Sequence, residues 1–308
     1  CIRDRDRVEN EDALKHAFDC ESRGDVCSLA GLAGALGVGP DRTAAVVATL
    51  EEQGLMEHVV GTLRLTAAGR EYALRIIRAH RLWERYLAEE TGFEATEWHR
   101  DAERREHLLT DADLDALASR LGDPRWDPHG DPIPTAAGEV APPPGFPLAS
   151  LAPGVPATIV HVEDEPPAVF DRIVAAGLFP GTRVEVVAAG PEGIRLRAGT
   201  GEVTLSQVVA ANLAVRPVAA ADIEAPLPDA ILADIDPGQT AAVVDLAPAC
   251  RGLERRRLMD LGIVPGTQIT AELRAAGGDP TGYRIRGAVI ALRRSQAEQV
   301  LVQRSDRE

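Results

Sequence analysis

No run of eighteen or more apolar residues occurs in the 308-residue chain, which excludes a membrane-spanning helix of ordinary length. The opening stretch, beginning Cys1-Ile-Arg-Asp-Arg-Asp-Arg-Val-Glu-Asn-Glu-Asp12, is charged where a secretion signal would be apolar, so a cytoplasmic protein without membrane insertion is expected. Cysteine is scarce: Cys1, Cys20, Cys27 and Cys250 form no Cys-x-x-Cys pair and are too few for a disulfide scaffold, and they read as free thiols. Positive charge is also short, with 33 Lys and Arg against 48 Asp and Glu and a net charge of −15. Residues 1–78 alone hold ten basic and thirteen acidic side chains. Such a surface grips phosphate poorly, so any nucleic-acid binding must rest on local geometry and on charge neutralisation, part of which a bound dication would supply.

What is present is enough apolar residue, 45%, for several cores. Proline-rich breaks at Ala141–Pro147 and Ala220–Asp229 delimit a helical first segment and two segments of short Val/Ile/Thr runs. Those two are related. Leu148-Ala149-Ser-Leu-Ala-Pro153-Gly154 recurs as Leu232-Ala233-Asp-Ile-Asp-Pro237-Gly238, and Gly177-Leu-Phe-Pro180-Gly181-Thr182 recurs as Gly262-Ile-Val-Pro265-Gly266-Thr267. A duplicated small β-rich domain is the simplest account, each copy a compact barrel with one helix, at Phe170–Ala176 and Leu253–Leu261.

In the first segment Leu29–Leu36 reads as a short helix, Gly37-Val-Gly39 breaks it, and Pro40 opens a second helix with Asp41 in its first turn. Val46, Val47 and Leu50 face inward, which leaves Asp41, Arg42, Thr43 and Ala44 on the exposed first turns, where a helix could meet base edges, and makes Pro40, Asp41, Arg42 and Thr43 the candidate DNA contacts. His58 to Leu65 alternates around Gly61-Thr62 and reads as a hairpin, a wing bearing Arg64.

A long helix over Ala67–Glu90 places His80 and Glu84, four residues apart, inside an otherwise apolar stripe. The next, Glu94–Leu109, sets His99, Glu103, Glu106 and His107 at i, i+4, i+7 and i+8. A surface helix paired to Arg100, Arg104 and Arg105 would give the same run, but burying His80 and Glu84 nearby without a cation would be costly. Imidazole and carboxylate at helical spacing suit a divalent metal.

These residues resemble the diphtheria-toxin-repressor-like metal-dependent regulators of iron and manganese uptake, from about Glu11 to Glu139. The resemblance runs through Ala79-His80-Arg-Leu-x-Glu84-Arg85, Trp98-His99-x-x-Ala-Glu103-x-x-Glu106-His107 and Asp127-Pro-His-Gly-Asp-Pro-Ile-Pro134. It implies one metal site at His80, Glu84 and His99, with Glu163 or Glu165 in the region that completes it, and another at Asp12, Glu103, Glu106 and His107. Iron regulators of the family carry Met and Cys where Asp12 and Glu103 stand, and hard carboxylates there favour Mn²⁺, with Fe²⁺ or Zn²⁺ also able to bind. Lys15 stands where the manganese branch has a further acid, which argues against a second ion packed beside the first. The repeats are similar to the SH3-like, FeoA-like domain associated with ferrous-iron transport.

The fold expected is multi-domain α+β: a winged helix-turn-helix over 1–76, a helical metal-binding and dimerisation domain over 77–140, and SH3-like domains over 147–218 and 229–304. The function expected is a homodimeric repressor that binds palindromic double-stranded operator DNA under control of Mn²⁺ or Fe²⁺ and so governs metal homeostasis genes, with no catalytic residue and no small-molecule substrate. A metallohydrolase is disfavoured because no His-Glu-x-x-His or other nucleophile-plus-base layout occurs. The alternative is an iron-transport interaction module acting through the repeats without DNA.

Overall fold

The computed structural model describes residues 2–199, 201–218 and 228–305. Cys1 and most of the second proline-rich break lie outside the described residues. The chain forms two compact units: one of Cys1–Tyr86, His99–Asp127 and Pro132–Pro142, the other of Leu87–Trp98, Pro128–Asp131 and Pro143–Glu308.

In the first unit, α1 (Ile2–Arg23), α2 (Leu29–Leu36) and α3 (Pro40–Glu52) follow one another. The Ser28 hydroxyl accepts from the Gly31 amide and caps α2, and Gly37, at φ 63°, ends it in the left-handed conformation that a side chain disfavours. Ala13, Leu14 and Ala17 of α1 share a core with Leu32, Val46, Val47, Leu50, Met56, Leu63 and Leu65. The wing is β1 (Met56–Val59) paired antiparallel with β2 (Thr62–Leu65). Its turn is Val60-Gly61, one residue earlier than the alternation suggested, and both residues have positive φ, as a two-residue turn matched to strand twist requires.

One sequence expectation fails in α3. Thr43 is only 1% exposed and its hydroxyl donates to the Gly39 carbonyl, because it lies on the same helical stripe as Val46, Val47 and Leu50. Pro40, Asp41 and Ala44 are exposed, and the same face continues through Ala45 and Ala48. Arg42 pairs with Asp6 and Glu9 of α1.

The long helix α4 covers Ala67–Glu90. Helix α5 (Ala95–Glu106) stops short of Leu109, so His107 stands just past its last residue. A third helix, α6 (Asp111–Arg120), is set by a Thr110/Asp113 capping box and packs Leu114 and Ala118 with Ala79, Leu82 and Ile133. Arg78 and Arg81 donate to the Pro134 and Pro132 carbonyls and fix the returning segment.

The second unit contains two six-stranded antiparallel sheets of identical order. The first comprises β3 (Phe146–Pro147), β4 (Pro156–Val162), β5 (Arg183–Gly190), β6 (Gly193–Ala198), β7 (Gly201–Leu205) and β8 (Leu213–Pro217), in the order β3-β8-β4-β5-β6-β7. The second comprises β9 (Ala230–Ile231), β10 (Thr240–Leu246), β11 (Gln268–Arg274), β12 (Thr281–Ile285), β13 (Ala288–Leu292) and β14 (Val300–Arg304), in the order β9-β14-β10-β11-β12-β13. Even the register shifts repeat, at Ile159/His161 and Val243/Asp245 and again at Val186/Ala188 and Ala271/Leu273. Each copy has its own apolar core. Beside the expected helices, found at Pro167–Ala175 and Gly252–Asp260, each carries a one-turn helix, Gln207–Ala210 or Arg294–Ala297, too short to leave a periodic pattern.

Candidate metal centres

All of the first unit's candidate ligands sit on three helices or at their ends: α1 brings Asp12, α4 brings His80 and Glu84, and α5 with its terminal turn brings His99, Glu103, Glu106 and His107. They form two neighbouring clusters. In one, donor atoms of His80, Glu84 and His99 lie within 4.8 Å of each other; in the other, donor atoms of Asp12, Glu106 and His107 do so.

The first cluster centres on Glu84 Oε1, which is 3.1 Å from His80 Nε2 and 3.5 Å from His99 Nδ1. The second has His107 Nε2 at 3.4 Å from Asp12 Oδ1 and 3.7 Å from Glu106 Oε1. Ligand atoms around an ion with bonds of ~2.0–2.2 Å stand about 3.0–3.5 Å apart, so both donor sets fit a dication with small side-chain adjustments. Two imidazoles with a carboxylate, and two carboxylates with an imidazole, suit Mn²⁺, Fe²⁺ or Zn²⁺.

Each cluster has an imidazole steered by a second carboxylate. His80 Nδ1 bonds Glu106 Oε2, which leaves Nε2 turned to Glu84. His107 Nδ1 lies 2.5 Å from Glu11 Oε2, which leaves Nε2 turned to Asp12 and Glu106, while Glu11 Oε1 accepts from the Tyr72 hydroxyl of α4 at 2.7 Å. A carboxylate on the far ring nitrogen fixes the tautomer and orientation of a metal-binding histidine. Glu11 escaped the sequence reading; the only hint was its place beside Asp12, since the tyrosine that holds it is 61 residues away.

Glu106 joins the clusters, with Oε2 on His80 and Oε1 accepting from Lys15 Nζ at 2.9 Å. Burial pushes the Glu106 carboxyl up, but His80 and Lys15 outweigh it and hold it below the usual carboxylate range. Burial opposes the Lys15 charge, and Glu106, Asp12 and Glu103 reverse that effect, raising its pKa. His107 is pushed up to about 9: burial disfavours its charge, yet the hydrogen bonds to Asp12 and Glu11 and the charge of Glu106 prevail.

Glu103 does not join Asp12, Glu106 and His107. Its side chain is about half exposed, and its Oε1 lies 3.4 Å from His99 Nε2, whose hydrogen bond holds its carboxyl below the usual range. At i and i+4 on α5 these two meet each other, whereas His107, beyond the helix end, turns toward α1. Glu163 and Glu165 lie in the second unit, between β4 and the helix Pro167–Ala175. Arg64 is exposed on wing strand β2. No helix of the described residues is long and apolar enough to cross a membrane.

Three regions of the chain match family models. Residues 66–135 match the iron dependent repressor, metal binding and dimerisation domain, and residues 146–217 and 231–304 each match the FeoA domain. The chain is 30% identical over 198 residues to the iron-dependent repressor IdeR of Mycobacterium tuberculosis strain H37Rv, a match covering 59% of this chain and 85% of that protein. A shorter match, 46% identical over 70 residues and covering 23% of this chain, is to a probable metal transport system membrane protein of Chlamydia trachomatis, of which the chain spans only 16%. Among solved structures, a manganese-dependent transcriptional repressor in complex with manganese superposes with a TM-score of 0.62 at 31% identity, over 68% of this chain and 100% of that one.

Proposed function

The chain belongs to the iron-dependent repressor family of metal-dependent transcriptional regulators, and from that premise we propose that Mn²⁺ or Fe²⁺ controls its grip on a palindromic operator. Asp12, Glu106 and His107 would hold one ion, and His80, Glu84 and His99 another; the observation that carries this reading is the convergence of α1 and the end of α5 on a single donor cluster. When bound, such an ion supplies the positive charge that lets these electron-rich side chains stay together. Hard carboxylates without sulfur in either cluster favour Mn²⁺ over softer ions.

The chain's own residues supply the rest. Asp12 belongs to the same helix as Leu14 and Ala17, which pack on α2, α3 and the wing, so fixing Asp12 fixes the reading head. Glu11, held by Tyr72, and Glu106 orient the two histidines before any ion arrives. In a homodimer, two heads held this way would meet two half-sites of an operator, with Pro40, Asp41 and the alanines of α3 toward the groove and Arg64 toward the backbone. Arg42 would reach DNA only by leaving Asp6 and Glu9.

The test is operator binding followed by fluorescence anisotropy, with chelator-treated protein and Mn²⁺, Fe²⁺ and Zn²⁺ added separately. Affinity should rise with Mn²⁺ or Fe²⁺; an unchanged dissociation constant with all three contradicts the reading.

A further inference from the structure

His16, Cys20 and Cys27 have no role in the clusters above, and in the sequence they are a histidine without ligand spacing and thiols without a Cys-x-x-Cys pair. The fold brings them together. His16 and Cys20 stand one turn apart near the C-terminal end of α1, with His16 Nε2 3.5 Å from Cys20 Sγ. The chain then turns through Gly24, at φ 75°, with the Asp25 amide donating back to the Cys20 carbonyl. That reversal delivers Cys27 to the same place, so that His16, Cys20 and Cys27 offer ligand atoms all within 4.8 Å of one another.

We propose that His16, Cys20 and Cys27 form a separate metal site of soft donors, two thiolates and an imidazole, that takes Zn²⁺ in the reading head. Donor chemistry distinguishes it from the clusters above, which contain only carboxylate and imidazole. Two sulfurs and a nitrogen suit Zn²⁺ and leave its fourth position for water, whereas Mn²⁺ prefers oxygen. The proton balance is simple: each thiol loses its proton to solvent, the two sulfur lone pairs and the imidazole nitrogen bind the ion, and two thiolates cancel its charge.

The site has a structural reach beyond its ligands. The Cys27 carbonyl accepts from the Leu63 amide at 2.9 Å and from the Thr62 hydroxyl at 3.2 Å, both on wing strand β2. Cys27 Sγ faces α1 while its backbone holds the wing, so Zn²⁺ there would brace α1, the turn before α2 and the wing into one body. It shares no ligand with the carboxylate clusters.

Cobalt(II) is the probe, because thiolate ligation gives an intense near-ultraviolet charge-transfer band that oxygen and nitrogen ligands do not. Reduced, chelator-treated protein, the whole 308-residue chain, should develop this band to saturation as Co²⁺ is added, and Zn²⁺ should bleach it. Cys20→Ser and Cys27→Ser should each abolish it, His16→Ala should weaken Co²⁺ binding at least tenfold, and Glu106→Gln should leave the band in place. The wild-type titration alone decides the matter if a cysteine variant folds poorly. Absence of the band in saturated wild-type protein overturns the proposal, as does its survival in Cys27→Ser. A Cys20–Cys27 disulfide on air oxidation, with no such band from the reduced protein, likewise overturns it.

Discussion

Lys15 Nζ lies 2.9 Å from Glu106 Oε1 and so places the only lysine of the chain against a buried carboxylate that also bonds His80. The ammonium already provides positive charge where a dication would bind. Replacing it should therefore trade stability of the metal-free protein for metal affinity. For Lys15→Met, the thermal midpoint in chelator should fall, and the apparent Mn²⁺ dissociation constant should drop by about tenfold, ~1.4 kcal/mol. Calorimetric titration checks it; weaker Mn²⁺ binding by the variant would show that Lys15 supports the site.

Glu106→Gln keeps the shape of a side chain that touches His80, Lys15 and the His107 cluster but removes its charge. It should abolish the metal response of operator binding, a coupling of about 1–3 kcal/mol or 5–150-fold in affinity. Glu103→Gln, by contrast, should change it little, since Glu103 pairs with His99 at the protein surface. Equal losses in the two variants would show that Glu103 takes part in metal binding, beside His99 or Asp12.

The pH dependence of the metal-free protein follows from His107, raised from 6.5 to about 9 by its carboxylate neighbours Glu11, Asp12 and Glu106. Because the folded state binds the proton more tightly, the stabilisation is complete below about pH 6.5 and is lost as pH rises through about 9. In chelator, the gap in thermal midpoint between wild type and His107→Gln should be widest near pH 6 and close toward pH 10. A gap that is constant across this range would contradict the assignment.

Gly69, in the first turn of α4, sits so close to the chain just before wing strand β1 that an added Cβ would meet the Leu55 carbonyl oxygen at 1.8 Å. Gly69→Ala should cost ~1–3 kcal/mol, because a backbone atom cannot swing aside as a side chain does. Urea denaturation monitors it; an unchanged midpoint would mean that α4 and the 54–55 turn separate freely.

Local chemistry made much of this legible in the sequence. Gly37 and Pro40 punctuate α2 and α3, and the apolar stripe that includes His80 and Glu84 marks α4 over its full length. The duplication showed through its Pro-Gly turns, and the matching sheet orders follow it. What depended on long-range approach was hidden. Glu11 acts through Tyr72 and His107, Lys15 through Glu106, and Cys27 reaches His16 only because the chain reverses at Gly24. Thr43 sits in the core rather than on the exposed turn because it shares the stripe of Val46, Val47 and Leu50 and its hydroxyl is satisfied by the Gly39 carbonyl.

Linkage gives the sharpest test of the claim that a dication at Asp12, Glu106 and His107 sets the grip on DNA. If Mn²⁺ tightens operator binding, operator DNA must tighten Mn²⁺ binding by the same factor. Titrating Mn²⁺ into chelator-treated protein with and without saturating operator should give dissociation constants differing by about 5–150-fold, the tighter in the presence of DNA. Equal constants would mean that the metal and the operator do not communicate.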